Sequence, residues 1–203
     1  MEFDIKKGTT TVALVCTDGI VLATDRRASA GYQVVHKNAR KIHEIHKFLG
    51  ATGAGSVGDI QNFVSLLRAE SNLYFLKNSR YISTKALASL GSRILHGNRY
   101  FPYLALIVIA GYDEKPSAYS LDPWGGMSED KFISTGSGSQ VAYGILEDRY
   151  KDSLTVKDGI ELSIRCVKAA IERDLATGDG ISLATITKDG YREFSDKEIE
   201  AVM

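Results

Sequence analysis

The sequence predicts an α+β domain in which two β-sheets pack face to face and a pair of helices covers the outside of each sheet. The predicted elements follow the order strands, two helices, strands, two helices, strands and a short helix. Paired helices do not fit repeated strand–helix–strand units, whereas two packed sheets with a helix layer outside each would bury both pairs. No linker or low-complexity stretch divides the 203 residues, so we expect one domain.

The N-terminal part predicts strands. Val12, Leu14 and Cys16 alternate with their neighbours, which indicates the first strand of a hairpin over residues 10–24. Asp18-Gly19 is a favoured two-residue turn, and we expect it to connect the two strands. Further short strands are expected at residues 32–35 and 48–52.

The rest of the chain predicts two helix pairs separated by strands. Apolar residues recur every three or four positions from Ile60 to Tyr74, and again after Ser83, which can cap the second helix. Ser195 and Glu198 form a capping box for a short last helix. The other expected elements are strands at 104–112, 117–121, 181–187 and 191–194, and helices at 139–150 and 156–174.

Composition and charge argue against several classes of function. Lys plus Arg and Asp plus Glu each total 25, so the chain lacks the basic excess of a nucleic-acid-binding protein. The longest apolar run, 104–110, is far shorter than a membrane span, and residues 1–8 lack the apolar core of a secretory signal. Cys16 and Cys166 match no zinc spacing. We therefore expect a cytoplasmic protein that binds neither nucleic acid nor membrane.

A glycine-rich segment at residues 53–58 (GAGSVG) has the G-x-G-x-x-G spacing of a dinucleotide-binding turn. However, the predicted helix after it leads into another helix, and no second strand ending in an acidic residue follows about 20 residues on. A tight strand-to-helix turn that requires glycine is the commoner explanation. A third interpretation is that backbone N–H groups at this helix start hold a developing oxyanion.

Other catalytic motifs are weaker. Residues 136–139 (GSGS) miss the G-x-S-x-G spacing by one position. His43 and His46 are three residues apart, but no H-E-x-x-H motif is present and residues 43–46 are expected to form a strand and its connection, so we expect no metal site. The two cysteines lie in apolar segments that are typical of core thiols. If the protein is a hydrolase, its general base therefore has to come from a group other than histidine.

The chain as a whole resembles a known family. The segments that carry the resemblance are 8–13 (GTTTVA), 24–29 (TDRRAS), Lys41, 52–59 (TGAGSVGD), 99–103 (RYFPY), 136–139 (GSGS), 147–150 (EDRY) and 173–180 (RDLATGDG). Taken alone, threonines at a strand start are common. In this order and spacing, the segments closely resemble a proteasome β-subunit of the archaeal 20S type, a member of the N-terminal-nucleophile hydrolases.

The resemblance implies a four-layer αββα sandwich, in agreement with the order of elements. It also implies that residues 1–8 are a propeptide, removed by autocatalytic cleavage between Gly8 and Thr9, and that residues 9–203 form the catalytic domain. A threonine hydroxyl needs an adjacent base, and a freed α-amine has an ordinary pKa of about 7.7–8.0. The uncleaved chain would be an inactive zymogen, because its Thr9 nitrogen is an amide.

Carried over by position, the resemblance makes Thr9 the nucleophile of a threonine endopeptidase and its amine the proton acceptor. Lys41 would lie beside the Thr9 hydroxyl and favour loss of its proton. Asp25 would pair with Lys41 and keep it charged. The alternative for Asp25 and Lys41 is an ordinary surface salt bridge.

Four further positions complete the site that the resemblance implies. Ser137 and Asp174 would form hydrogen bonds around the Thr9 amine, and the Gly55 N–H would form the oxyanion hole. Thr177 stands where the family usually has serine, so its hydroxyl is kept and a methyl group is added.

The resemblance also implies a specificity pocket. Three of its residues are small, which leaves room for a large apolar side chain and predicts a chymotrypsin-like preference. Burial of such a side chain contributes about 1.5–3 kcal/mol. The expected substrate-binding residues are Ala28, Ser29, Ala39, His43, Gly53 and Val57.

The implied assembly has two heptameric β-rings between two heptameric rings of α-subunits. An ATP-dependent regulatory particle would feed unfolded polypeptides through the α-ring, and peptide hydrolysis itself needs no cofactor. One alternative is a non-catalytic, structural β-type ring subunit. Another is the bacterial two-ring relative, which uses the same nucleophile in hexamers.

Overall fold

A computed structural model describes residues 8–202, and in it two five-stranded antiparallel sheets pack face to face. Helices cover the outer face of each sheet, so the predicted four-layer αββα sandwich is confirmed. Of the expected propeptide, residues 1–7 lie outside the described residues, as does Met203 of the expected catalytic domain.

The first sheet has the strand order β10-β1-β2-β11-β12. Its side chains alternate between two layers, as the sequence predicts: Val12 and Leu14 pack against helices, and Ala13 packs against the second sheet. The strand bounds are β1 Thr11–Cys16, β2 Gly19–Asp25, β10 Phe132–Thr135, β11 Ile181–Thr187 and β12 Gly190–Glu193.

The second sheet has the order β5-β6-β7-β8-β9 and packs on the first through an apolar layer that includes Leu22, Val108 and Ile186. A separate two-stranded hairpin follows the first two strands of the first sheet in the sequence and precedes the strands of the second sheet. The bounds are β3 Ala28–Ala30, β4 Gln33–His36, β5 Ile42–His46, β6 Leu49–Gly55, β7 Ala105–Tyr112, β8 Pro116–Leu121 and β9 Met127–Glu129.

Helices pack in pairs, as predicted. The first pair, α1 Val57–Asn78 and α2 Thr84–Gly97, covers the second sheet, and the second pair, α3 Ser139–Arg149 and α4 Val156–Arg173, covers the first. The helix α5 Asp196–Glu200 follows β12. Within residues 8–202, no helix combines the length and the hydropathy that crossing a membrane requires.

Two predicted helix starts are confirmed in detail. The Ser83 hydroxyl accepts a hydrogen bond from the Ala86 N–H at 3.3 Å and so caps α2. At α5, the capping box of Ser195 and Glu198 is complete. These local signals succeed because every partner lies within one helical turn.

The first hairpin corrects the predicted turn. Cys16 pairs with Gly19, so the loop consists of Thr17 and Asp18, and Gly19 is already part of β2. Neither loop residue has a positive φ, which a type I′ turn requires at both positions. Gly19 serves packing instead, because a Cβ there would lie 2.6 Å from the Ile186 carbonyl oxygen of β11.

We expect Gly19→Ala to lower the free energy of unfolding by about 1–3 kcal/mol, since the added methyl overpacks β2 against β11. Gly144→Ala is the matched control. It lies on the exposed face of α3, where a Cβ meets nothing within 4 Å, and should raise stability by about 0.5–1 kcal/mol. Chemical denaturation of both variants measures the difference, and equal effects would contradict the packing explanation.

Candidate active site

Strand register brings the candidate catalytic residues to one end of the sandwich. Thr11 of β1 lies opposite Thr135 of β10 and opposite Thr24 of β2. Since both pairs are antiparallel, the residues just before β1 lie beside those just after β10 and at the end of β2. This places Thr9 next to Ser137 and Thr10 next to Asp25.

Thr9 lies between the two sheets and is 6% exposed. Its hydroxyl accepts a hydrogen bond from Lys41 Nζ at 3.0 Å, and the same Nζ lies 2.7 Å from Asp25 Oδ1. Lys41 directly precedes β5 in the second sheet, and the Thr52 hydroxyl donates to its carbonyl oxygen at 2.8 Å. The predicted contact of Lys41 with both Thr9 and Asp25 is therefore present.

Asp25 is completely buried and accepts hydrogen bonds at both carboxylate oxygens. Besides Lys41, Oδ1 accepts from the Thr10 N–H at 2.9 Å. Oδ2 accepts from the N–H groups of Arg27 and Gly178, each at 3.0 Å. The Asp25–Lys41 pair is thus an enclosed ion pair, which excludes the surface salt bridge considered as an alternative.

The electrostatic surroundings of Lys41 act in two directions. Burial lowers the pKa of Lys41 below its ordinary value, and the nearby Asp25 carboxylate opposes that shift. The hydrogen bond that Lys41 Nζ donates to the Thr9 hydroxyl allows it to stabilise negative charge that develops on that oxygen. Lys41 is therefore suited to support proton loss from the Thr9 hydroxyl.

The other side of Thr9 contains a hydrogen-bonded chain. The Thr9 N–H donates to Ser137 Oγ at 3.4 Å, and the Ser137 hydroxyl donates to Asp174 Oδ2. The Thr177 hydroxyl donates to the same Asp174 oxygen. Ser137 therefore contacts Thr9 directly, whereas Asp174 and Thr177 are connected to it through hydrogen bonds.

The Thr9 hydroxyl lies against the carbonyl of the Gly8–Thr9 peptide bond. The Thr9 hydroxyl donates to the Gly8 carbonyl oxygen at 2.6 Å, and the Gly8 N–H donates to Ser29 Oγ at 3.1 Å. A Cβ at position 8 would lie 1.7 Å from the Ala176 Cβ. Only glycine fits this approach of the chain to the loop after α4.

The glycine-rich segment is the end of β6 followed by the first turn of α1, with Ser56 between them. Both neighbours of β6 are antiparallel to it and α1 is followed by α2, so the segment is not part of a dinucleotide-binding βαβ unit. Gly55 has a φ of +133°, and a Cβ there would lie 2.2 Å from the Leu104 carbonyl oxygen. Glycine is required by the turn, as expected.

A cavity of about 310 Å³ opens beside Thr9 and Gly55. Six further residues line it that were not expected at the site: Ala30, Val35, His36, Arg40, Ile60 and Gln61. Ile60 and Gln61 follow Val57 by three and four positions on α1, and this helical spacing is the signal that could have found them. All six expected substrate-binding residues line it: Ala28, Ser29, Ala39, His43, Gly53 and Val57.

The cavity carries little free charge. Burial, with smaller contributions from Arg40 and Arg68, lowers the pKa of His43 to about 4, so its imidazole is neutral at physiological pH. Arg40 is paired with Glu193 at 2.5 Å. The lining is therefore suited to an uncharged, apolar side chain.

Neither cysteine is available as a nucleophile. Cys16 and Cys166 are both buried, and burial raises the pKa of each thiol to about 12. Both belong to the core layer between the first sheet and its helices. They are core thiols, as expected.

Comparison with known proteins identifies the family. The family model "Proteasome subunit" matches residues 5–186. Proteasome subunit beta 1 of Thermococcus onnurineus is 55% identical over 197 residues, which cover 97% of each chain. Proteasome subunit beta 2 of Pyrococcus abyssi is 49% identical over 197 residues, covering 97% of this chain and 95% of the relative.

A relative from a third genus gives the same result. Proteasome subunit beta of Methanocaldococcus fervens is 51% identical over 203 residues, covering 98% of this chain and 91% of the relative. These matches extend over nearly the full length of the sandwich and of the site. The chain therefore belongs to the proteasome subunit family, among the β-subunits of the archaeal type.

Proposed function

We propose that this β-subunit is catalytic: a threonine endopeptidase of the 20S core that hydrolyses peptide bonds of unfolded polypeptides with Thr9 as nucleophile. One observation carries the proposal. The Thr9 hydroxyl touches the carbonyl of Gly8 while accepting a hydrogen bond from the buried Lys41. A structural ring subunit has no need of a buried ion pair directed at this hydroxyl.

The first reaction would be self-processing. Thr9 Oγ1 bonds to the Gly8 carbonyl carbon, the peptide bond to the Thr9 nitrogen breaks, and the hydroxyl proton ends on that nitrogen. Water then hydrolyses the resulting ester, which releases residues 1–8 and leaves a free α-amine at Thr9. The zymogen is inert toward other peptides because this amine does not exist before cleavage.

In turnover, the freed amine would accept the Thr9 hydroxyl proton while the oxygen attacks a substrate carbonyl. Ser137, held by Asp174, lies within reach of that amine. The Lys41 ammonium favours negative charge on the attacking oxygen, and we assign the Gly55 N–H to the oxyanion. The proton passes to the leaving amine, and water hydrolyses the acyl-enzyme ester to restore Thr9.

The cavity supports a chymotrypsin-like preference. Ala28, Ala39 and Gly53 leave space in it, and the neutral His43 offers no cation to an acidic side chain. A large apolar residue on the amino side of the cleaved bond would fill this volume.

As a proteasome β-subunit, the chain assembles with other subunits into the proteasome core. We propose two heptameric β-rings between two heptameric α-rings, located in the cytoplasm, with an ATP-dependent regulatory particle feeding substrates through the α-ring. Six-fold symmetry in electron micrographs would instead indicate the bacterial two-ring arrangement.

Co-assembly with an archaeal α-subunit is expected to remove residues 1–8 from the native chain, because the nucleophile and the bond to be cut are adjacent. Intact-mass spectrometry measures the loss. Thr9→Ala should keep the leader, since it lacks the hydroxyl, and Thr9→Ser should lose it. A fully assembled native particle that retains its leader would favour the structural-subunit alternative.

Lys41→Met is expected to reduce leader removal and peptide hydrolysis at least about 100-fold, because the charge beside the reacting oxygen is lost. Lys47→Met, at an exposed lysine after β5, is the control and should retain native rates. Native gels confirm that both variants assemble. Near-native hydrolysis by assembled Lys41→Met would remove Lys41 from the mechanism.

The preference for apolar over acidic peptides is expected to stay constant between pH 5 and pH 8.5, because His43 stays neutral above a pKa of about 4. A panel of fluorogenic peptides with Phe, Leu or Asp before the cleaved bond measures the ratio. His43→Lys introduces a cation and should improve cleavage after Asp. A rise in acidic preference of the native particle toward pH 5 would contradict the assignment.

A further inference from the structure

We propose that Thr10, the residue after the nucleophile, is a positioning residue: its hydroxyl holds Thr177, and through it Asp174 and Ser137, in place at the Thr9 nitrogen. The inference rests on the proposed function and extends it to a residue outside the expected catalytic set. Thr10 is completely buried.

Thr9 and Thr10 point to opposite sides of the first sheet. The Thr9 side chain contacts Lys41, which directly precedes β5 of the second sheet, whereas Thr10 Oγ1 lies 2.8 Å from Thr177 Oγ1, in the loop after α4. This continues the alternation of β1, where Val12 faces the helices and Ala13 faces the second sheet. Of these two neighbouring residues, Thr9 therefore contacts Lys41 on one side of the site, and Thr10 contacts Thr177 on the other.

Counting protons fixes the direction of every hydrogen bond in the chain. Thr177 has one hydroxyl proton and donates it to Asp174 Oδ2, so Thr10 must be the donor in its contact with Thr177. Ser137 also donates to Asp174 Oδ2 and accepts from the Thr9 N–H. Two hydrogen-bonded chains therefore converge on Asp174 Oδ2: one from the Thr10 hydroxyl through Thr177, and one from the Thr9 N–H through Ser137.

Close packing encloses the Thr10–Thr177 contact. A Cβ on Gly138, at the start of α3, would lie 2.1 Å from Thr10 Oγ1 and 2.9 Å from the Ala170 Cβ. Thr177 is 1% exposed. If the Thr10 hydroxyl is removed, the buried Thr177 oxygen loses its hydrogen-bond donor. Thr177 then holds the Asp174 carboxylate less firmly in place.

The main chain of Thr10 forms hydrogen bonds with Asp25, the partner of Lys41. Its N–H donates to Asp25 Oδ1 at 2.9 Å, and its carbonyl oxygen accepts from the Asp25 N–H at 3.2 Å. A side-chain substitution leaves both bonds in place. Thr10→Val, which has nearly the same shape, therefore tests the hydroxyl chain separately from the Asp25–Lys41 pair.

The Thr9 nitrogen is the leaving group in self-processing and the base in turnover. Small misplacement of a reacting group has large effects on rate. Without the Thr10 donor, we expect slower chemistry with unchanged substrate binding. A neighbouring carboxylate favours the charged form of the α-amine and so raises its pKa. When Asp174 is held less firmly, the pKa of the amine should fall, and the acid limb of the pH profile should move to lower pH.

The test compares Thr10→Val, Thr10→Ser and Thr11→Val in particles co-assembled with an archaeal α-subunit. Thr11 Oγ1 lies 2.7 Å from Thr135 Oγ1 and also accepts from the Thr135 N–H at 3.2 Å, in the strand pair that leads to the site. Thr11→Val keeps the Thr10–Thr177 chain and therefore controls for the loss of buried hydroxyl hydrogen bonds next to it. Intact mass follows leader removal with time. Values of kcat and KM, normalised to processed chains, are measured from pH 5 to pH 9.

Thr10→Val is expected to lower kcat about tenfold, with KM unchanged within twofold and the acid limb displaced downward. Thr10→Ser should restore native values, and Thr11→Val should keep them. Complete failure of Thr10→Val to lose its leader, while the other two variants process normally, supports the same role.

The inference is overturned if Thr10→Val processes and turns over within twofold of the native chain. It is also overturned if Thr11→Val loses as much activity, or if assembled Thr10→Ser is not restored. A native particle that keeps its leader and cleaves no peptide rejects the proposed function itself, and this inference with it.

Discussion

Asp25 is a carboxylate with no exposed surface, and such a group is stable only when its oxygens are paired with donors. Its donors come from separate parts of the chain: Lys41 before the second sheet, the main chain of Thr10 and Arg27, and Gly178 in the loop after α4. Satisfying this one carboxylate fixes the ends of both sheets relative to each other. The same Lys41 Nζ that pairs with Asp25 donates to the Thr9 hydroxyl.

Much of the fold could be predicted because its signals are local. The alternation in β1, the apolar spacing of α1 and the caps at Ser83 and Ser195 each depend on neighbours within a few residues. The strands β3, β9 and β10 were not predicted, since they are three or four residues long and too short to show a pattern. For β10 the partner strand is also distant in sequence, since Phe132 lies opposite Leu14.

The candidate site, unlike the fold, could not be predicted from local patterns. Thr9 lies 32 positions from Lys41 and 128 from Ser137, and no periodicity relates residues so far apart. Only the resemblance to a family predicted that these residues share a site. In the structure, the register of the strands places them next to each other. Thr10 was missed because a threonine at a strand start is explained equally well by β-propensity, and its hydroxyl chain becomes visible only when α4 packs behind it.

In the proposed function, Thr9 Oγ1 is the atom that attacks substrate carbonyls. The most direct measurement is to react the assembled particle with a peptide that ends in an electrophilic carbonyl, and to locate the adduct by peptide-digest mass spectrometry. We expect one adduct per processed chain, on Thr9, with loss of peptide hydrolysis in proportion to modification. An adduct on another residue, or hydrolysis that persists after Thr9 is fully modified, would contradict it.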